Sequence, residues 1–524
     1  MIEQLVIALI LAVFPVQDVP VADPPIEEVA SGGTELEELV VEEPVIEEPV
    51  IEPERDLDRE LLLVRRPVIE AMSFVQVPGP NPILTPSESG WDDGVLESSD
   101  AFEHDGTYHF YYHATGDGAG YRLGAATANH PLGPFERHGD APLVDVGAPG
   151  SWDDKHVACA YVMQDDDGRW LLWYSGMKSG VTGRWSIGLA TADHPLGPWT
   201  KHEGNPVFED FGYLGGVVKV DDVYRLYSAH PINNSAWAEF PEGHERSLSY
   251  HIDYSPLALA TAPAPEGPWT RHEANPLMEQ GEPGEWDEGG ISEAEVLYDN
   301  GMYHMFYGAT HRVGPRTESI GYAYSFDGVE WFKHGSNPVA SRFNEPNAAA
   351  YAEVHAIIED DFIYLYHTLR YEEHGGESYP MVEDLGVQVL ARKTPFSLDM
   401  PVLQLDELTP GAPSSIDASR TVCLGSVDRA SATISCRFGV SLGSLEVGVR
   451  GSSDGITFDT VDIETVTLRP VNGRLEQQRT ISLPADVRFI RFVASSDSLR
   501  TISDIDVRVA LSSGRDPESS DADR

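Results

Sequence analysis

The feature that most constrains this chain is internal repetition. LGAATANHPLGPFERHGDAPL begins at Leu123, IGLATADHPLGPWTKHEGNPV at Ile187, LALATAPAPEGPWTRHEANPL at Leu257 and IGYAYSFDGVEWFKHGSNPV at Ile320. A degenerate fifth copy, LGVQVLARKTPFSL, begins at Leu385, so the intervals are 64, 70, 63 and 65 residues. Between the copies runs a second recurring element: DGTYHFYYHAT, GRWLLWYSGM, DVYRLYSAHP, NGMYHMFYGAT and DFIYLYHTLRY. These segments are short, aromatic and β-branched, and Asp/Gly turns bound them, which are strand and hairpin signals. A unit of about 65 residues with about four strands has the size of a propeller blade. The expected fold is therefore all-β, with a five-bladed β-propeller over residues 70–405. NPILTPSESGWDD precedes the first copy and matches NPLMEQGEPGEWDE before a later one, so an N-terminal strand is expected to close the ring.

After Pro410 aromatics thin out, and TISCRF, LEVGVR, RTISLP, RFIRFVAS and SDIDVRVAL alternate strictly. That pattern predicts a C-terminal antiparallel β-sandwich over 411–512. Residues 513–524 read as a disordered tail. Cys423 and Cys436 either face each other across a hairpin as a disulfide or are two small core residues.

At the other end, LVIALILAVFPV (residues 5–16) is too short to span a bilayer and fits the apolar region of a secretory signal over residues 1–22. The protein is thus expected to be secreted, periplasmic or at the cell surface. Residues 23–65 form a tether built on the repeated E-E-P-V-I unit. Its charges repel one another and its prolines block helix, so it stays extended. The whole chain carries a formal charge of −51. Phosphate binding needs clustered Lys and Arg, so a nucleic-acid partner is excluded. An anionic membrane surface is disfavoured on the same ground. Nothing in the sequence specifies an oligomeric state.

In a propeller the first strand of each blade lines a central channel, and residues i and i+2 share a face. Upstream of the strand aromatics, blade one carries Ser98 and Asp100 beside Glu97. Blade four carries Glu293 and Glu295, and blade five Glu353 and His355. Blade two has Ala158, Cys159 and Ala160 there, and blade three Gly215 and Gly216, which would leave room for a ligand. Carboxyls in apolar strands cost energy unless they are paired, hydrated or ligated. Crowded together, they separate in pKa, as acid/base chemistry requires. The alternative is a polar, water-filled channel, or a cation site. No cofactor is required, although carboxylate oxygens would suit calcium in the channel. The Trp91-Asp92-Asp93, Trp152-Asp153-Asp154 and Trp286-Asp287-Glu288 repeats read chiefly as braces that recur with the fold. Asp93, Asp154 and His156 nevertheless stay candidates, being next to the inner strands. Trp199, Trp269 and Trp331 read as inter-blade core. Tyr121, Trp237 and His311 are either rim residues of the site or ordinary surface residues, and the insertion at 244–254 reads as a lid or subsite.

With W-D-x-G-[VI]-x-E…DGxYHxFY and G-P-[WF]-x-x-H-x-x-N-P, the chain resembles five-bladed propeller glycosidases: family 43, family 117 and the invertase/levansucrase group. The resemblance covers about 330 residues. It implies a glycoside hydrolase acting on a plant or algal carbohydrate, with a first-blade base at Asp100 or Glu97. The same resemblance places the general acid at Glu293, with Glu295, Glu353 and His355 tuning or binding. A family 117-like histidine acid would correspond to His355. Inversion is the outcome such an arrangement implies. The C-terminal segment is similar to discoidin-like carbohydrate-binding sandwiches. Two other readings remain: a non-catalytic glycan-binding propeller and a glycoside phosphorylase. The phosphorylase would need a cluster of cations that the channel segments lack.

Overall fold

The computed structural model describes residues 65–513, except 67, 117–119, 182–183, 230–256, 283, 289, 310–318, 342–347, 372–382, 394, 425–426, 428, 439–442, 470–472, 483, 485 and 499–500. The expected leader, the acidic tether up to residue 64, Trp237, His311, the insertion at 244–254 and the tail from residue 514 lie outside the described residues.

The regular structure of the described residues is almost entirely strand, in seven four-stranded sheets. Five come from the repeats. The first holds Leu96–His104, Thr107–Ala114, Arg122–Ala128 and Glu136–Arg137. The second holds His156–Gln164, Trp170–Met177, Ser186–Ala192 and Thr200–Lys201, and the third Tyr213–Val220, Val223–Ala229, Ala258–Ala262 and Thr270–Arg271. The fourth holds Ile291–Asp299, Met302–Ala309, Ser319–Ser325 and Phe332–Lys333. The fifth is built from Ala348–Ile358, Phe362–Tyr371 and Glu383–Ala391, with the N-terminal strand Val75–Pro78 pairing onto Glu383–Ala391 as its outer member. The first strand of each sheet packs against that of the next, and the fifth returns to the first. The five sheets therefore form a closed ring around their first strands.

The repeated motifs account for how this ring is held. Trp91, Trp152 and Trp286 pack against Tyr112, Tyr174 and Tyr307 of their own sheets, the first two pairs stacked and the third tilted, with ring centroids 5.8, 5.6 and 5.4 Å apart. The following Asp accepts from the same tyrosine and from a cation on the fourth strand. Asp92 takes Tyr112 and Arg137, Asp153 takes Tyr174 and Lys201, and Asp287 takes Tyr307 and Lys333. These motifs brace each sheet internally. The Asn of the N-P dipeptide does related work, since Asn205 and Asn275 each exchange two hydrogen bonds with one backbone residue of the third strand, Leu189 and Leu259. Between sheets, Tyr111, Trp173 and Tyr366 donate to the carbonyls of Pro195, Pro265 and Pro131 in the neighbouring sheet's repeat.

The last two sheets come from the C-terminal residues. One orders Phe396–Leu408, Ile502–Ser513, Arg429–Phe438 and Gly473–Ile481, and the other Val422–Cys423, Phe489–Ser496, Leu445–Ser452 and Glu464–Leu468. Phe396–Leu408 pairs along its length with Ile502–Ser513. The boundary expected at 405 to 411 therefore falls earlier, between Ala391 and Phe396. Cys423 and Cys436 are buried in different sheets and are not bonded to each other. One hydrophobic core runs from ring residues such as Trp91, Phe110 and Tyr366 through Leu398 and Leu403 to Val447 and Val507.

Candidate active site

Each first strand of the ring carries a β-bulge at the same level. Its pairing with the second strand slips between Ser98 and Asp100, Ala158 and Tyr161, Leu214 and Val217, Ile291 and Ala294, and Ala352 and His355. A bulge inserts a residue and re-aims the side chains on either side of it. Cys159 and Glu353 adopt φ of 48° and 45° there, and Gly216 a φ of 121°. Strict alternation, the expectation from sequence, is therefore broken where the ionisable pairs lie. The pairs separate into two groups instead of sharing one face.

The group beyond the bulges is Asp100, Glu295 and His355, whose polar atoms lie within 4.8 Å of one another. Asp100 accepts from its neighbour's amide, Ala101 N (2.8 Å), and from Val162 N of the second sheet (2.7 Å). Glu295 accepts from Ala356 N of the fifth sheet, and His355 bonds to the backbone of Ser98 in the first. These side chains thus stitch the fourth, fifth, first and second sheets together. Burial, reinforced by Glu295, pushes Asp100 up to about 8. Burial also pushes Glu295 well above the carboxylate range and His355 down to about 4. At neutral pH the group holds protons and carries little charge. Asp100 is 3% exposed and is grouped with Glu295 and His355.

The second group contains Glu97, just before its bulge, and Glu293 and Glu353, which stand within theirs. Glu97 lies opposite His113 in the strand register, and its Oε2 is 2.7 Å from His113 Nε2. Its Oε1 accepts from the Tyr121 hydroxyl at 2.9 Å and lies 3.9 Å from Arg370. Arg370 donates to Glu353 Oε1 at 2.8 Å and to Glu383, its partner in register, at 2.7 Å. Burial disfavours the Glu97 charge, but His113, Arg370 and Tyr121 outweigh it and pull Glu97 down to about 2. Glu353 goes the other way. Its burial, with repulsion from Glu293, Glu97 and Glu383, overcomes the pull of Arg370 and lifts it well above the carboxylate range. Among the described residues Glu353 Oε2 has no hydrogen-bond partner. Burial likewise pushes Glu383 up to about 8, against Arg370 and with Glu97. Glu293 is only half-buried. Cys159 marks the meeting point, because its thiol is raised by burial and then by Glu293, Glu97 and Glu353.

The remaining candidates lie to the side. His156 Nδ1 accepts from Tyr121 N at 3.0 Å, and burial, with Lys155 and His113, lowers its pKa to about 4. It supports the tyrosine that holds Glu97. Asp93 is exposed and accepts from Gly90 N. Asp154 accepts from Gly150 N in its own loop and from Ser179 N just after the second strand of that sheet, and these bonds lower its pKa. Neither joins the carboxyl group around Glu97. Calcium takes six to eight oxygen ligands. Asp100, Glu295 and His355 offer two carboxyls and an imidazole, with three carboxyl oxygens already accepting backbone amides. That donor set does not fit calcium, and it fits shared protons better.

Ser99, His113, Arg370 and Glu383 were not among the sequence candidates. The available signal was that His113 and Arg370 are ionisable residues in otherwise apolar second strands, placed by register against a glutamate.

No family model matches the chain, and no match is found among curated proteins. Among solved structures it is similar to a family 117 glycoside hydrolase produced by the marine bacterium Zobellia galactanivorans. The identity is 15%, the match covers 62% of this chain and 91% of that one, and the TM-score is 0.39. A glycosyl hydrolase from Bacteroides ovatus is 16% identical over 61% of this chain and 93% of its own, with a TM-score of 0.44. A thermostable family-43 glycoside hydrolase is 16% identical over 59% and 96%, with a TM-score of 0.41.

Proposed function

We propose that this chain is a glycoside hydrolase whose chemistry runs in the group around Glu97. One observation carries the reading: a carboxylate kept ionised, Glu97, stands in the same group as a carboxyl kept protonated, Glu353, with the half-buried Glu293 beside them. Cleaving a glycosidic bond takes one carboxyl to donate a proton and another to activate water or attack. Glu97 is the general base on water. Glu293, the most accessible of the three, protonates the leaving oxygen, and Glu353 tunes it. Activation of water by Glu97 inverts the anomeric centre, which needs the two carboxyls about 6.5–9.5 Å apart. Asp100, Glu295 and His355 hold the ring together and take no part in bond breaking. The reaction requires no cofactor.

In this reading the ring of five sheets is a five-bladed propeller and the last two sheets are a β-sandwich. The N-terminal apolar segment is an export signal, and the substrate is a plant or algal carbohydrate. Among the described residues of the group, the guanidinium of Arg370 is already bound to Glu353 and Glu383. Water therefore suits the site better than phosphate.

The test is sugar release from agar, carrageenan, ulvan, arabinan and xylan oligosaccharides, with and without phosphate. The variants are Glu97→Gln and Glu293→Gln, each checked for intact folding. Each should lose at least about 10²-fold in kcat, the usual range for a general acid or base. Binding across the panel without turnover would favour a capture protein. Strict phosphate dependence would make it a phosphorylase, and full activity in either variant would remove that residue's role.

A further inference from the structure

Glu97 is held from two directions. On one side His113 Nε2 meets Oε2 at 2.7 Å, and the other ring nitrogen, Nδ1, lies 2.7 Å from Ser99 Oγ. Ser99 and His113 are 0% and 2% exposed, so water does not compete for these bonds. On the other side Tyr121 donates to Oε1, its backbone is fixed on His156, and its ring meets the His113 ring edge-on with centroids 4.9 Å apart. An ionised carboxylate only accepts hydrogen bonds, so His113 Nε2 must be the donor. Nδ1 pairs with the Ser99 hydroxyl, which can donate to a neutral ring or accept from a protonated one. Ser99 stands at the bulge, between the paired residues Ser98 and Asp100.

The geometry points to Ser99 and His113 as positioning residues, a buried lock that fixes the plane of the Glu97 carboxylate. The chain of contacts has the composition of a Ser-His-carboxylate triad with its working end reversed. Ser99 is sealed inside, and the carboxylate faces the other acidic groups. Ser99 therefore serves no nucleophilic step. The inference rests on the reading of Glu97 as the base, and its test separates the two.

The variants are His113→Phe, His113→Gln, Ser99→Ala, Glu97→Gln and the double variant H113F/E97Q. The first readout needs no substrate: melting temperature at about pH 7 and about pH 4. H113F strips the donor from a buried carboxylate, so the Glu97 pKa rises. Its melting deficit against the wild type should then shrink by about half or more at the lower pH, where the variant's Glu97 is protonated. In the E97Q background the deficit should not depend on pH. H113Q, which keeps an amide N–H near Nε2, should recover most of the loss. The second readout is hydrolysis of a 4-nitrophenyl glycoside panel. H113F should lose about 10²-fold in kcat, with KM within about twofold and the acid limb of the profile moved up by about a unit or more. S99A should lose less. A pH-independent deficit in H113F, or an acid limb that stays in place, overturns the lock. Wild-type turnover in E97Q overturns the base assignment instead, and the thermal cycle still decides the lock.

Discussion

Glu97 and Asp100 sit on one strand, three residues apart, and end in opposite protonation states. Both are buried, so desolvation acts against both charges. The difference lies in their partners. Glu97 has an imidazole, a phenol and a nearby guanidinium, and is held at about 2. Asp100 has two backbone amides and faces Glu295, and is pushed up to about 8. A folded pKa above the unfolded value contributes stability below the unfolded pKa that is lost as pH rises towards the folded one. Asp100 and Glu295 should therefore erode stability from about pH 5 upward. Glu295→Gln removes one of these protons from the account while keeping an acceptor for Ala356 N. It should raise stability on the order of 2 kcal/mol at about pH 7 relative to pH 5, read from urea unfolding at both values. If shared protons hold the group, a chelator leaves the wild-type melting temperature unchanged. A chelator-induced drop that vanishes in E295Q would instead assign a metal ion there.

At the scale of the element, the bulge decides what the site can be. The repeat spacing, the strand aromatics and the W-D and N-P motifs were all legible in the sequence, because each recurs in a fixed register and makes the same bonds each time. Glu293, Glu295, Glu353 and His355 were legible as ionisable residues in apolar strands. Their division into two groups was not, because an inserted residue leaves no mark in a pattern of period two. The partners of Glu97 were hidden for a second reason. His113, Arg370 and Glu383 come from second and third strands, and only cross-strand register brings them to the group. Gly216 shows how tightly the level of the bulge is specified. Its φ is 121°, and a Cβ there would lie 2.8 Å from Val296 O and 2.9 Å from Val296 N in the next sheet's first strand. Gly216→Ala should cost about 2–4 kcal/mol, combining backbone strain with that collision. Gly168→Ala also has a positive φ, 85°, but no atom within 4 Å, and should cost only about 1 kcal/mol. Equal losses in denaturant unfolding would show that the approach to Val296 is not what demands glycine.

Across the whole molecule, the ring and the C-terminal sheets are joined at one residue as well as by a common core. Arg420 donates from Nε to Pro80 O at 2.8 Å, and from Nη1 to Leu132 O and to Pro401 O, the last at 3.2 Å. Pro80 and Leu132 flank the first and fifth sheets of the ring, and Pro401 lies in the strand that opens the C-terminal sheets. Burial lowers the guanidinium to about 9, so it stays charged at neutral pH and pays for desolvation with carbonyl partners. Leu398, Leu403, Val422 and Tyr366 belong to one continuous core shared by both parts. Neither part can expose its side of that core without losing apolar burial, so both should unfold together in a single calorimetric transition. Arg420→Ala leaves three carbonyls short of a donor and should cost about 2–4 kcal/mol. Because the lost bonds all cross the seam or its flank, the deficit should appear as two resolved transitions rather than one lowered peak. A single transition shifted intact would mean that the shared core alone couples the parts. In that case the C-terminal sheets are a permanent wall of the ring, and their removal should abolish folding of the ring itself.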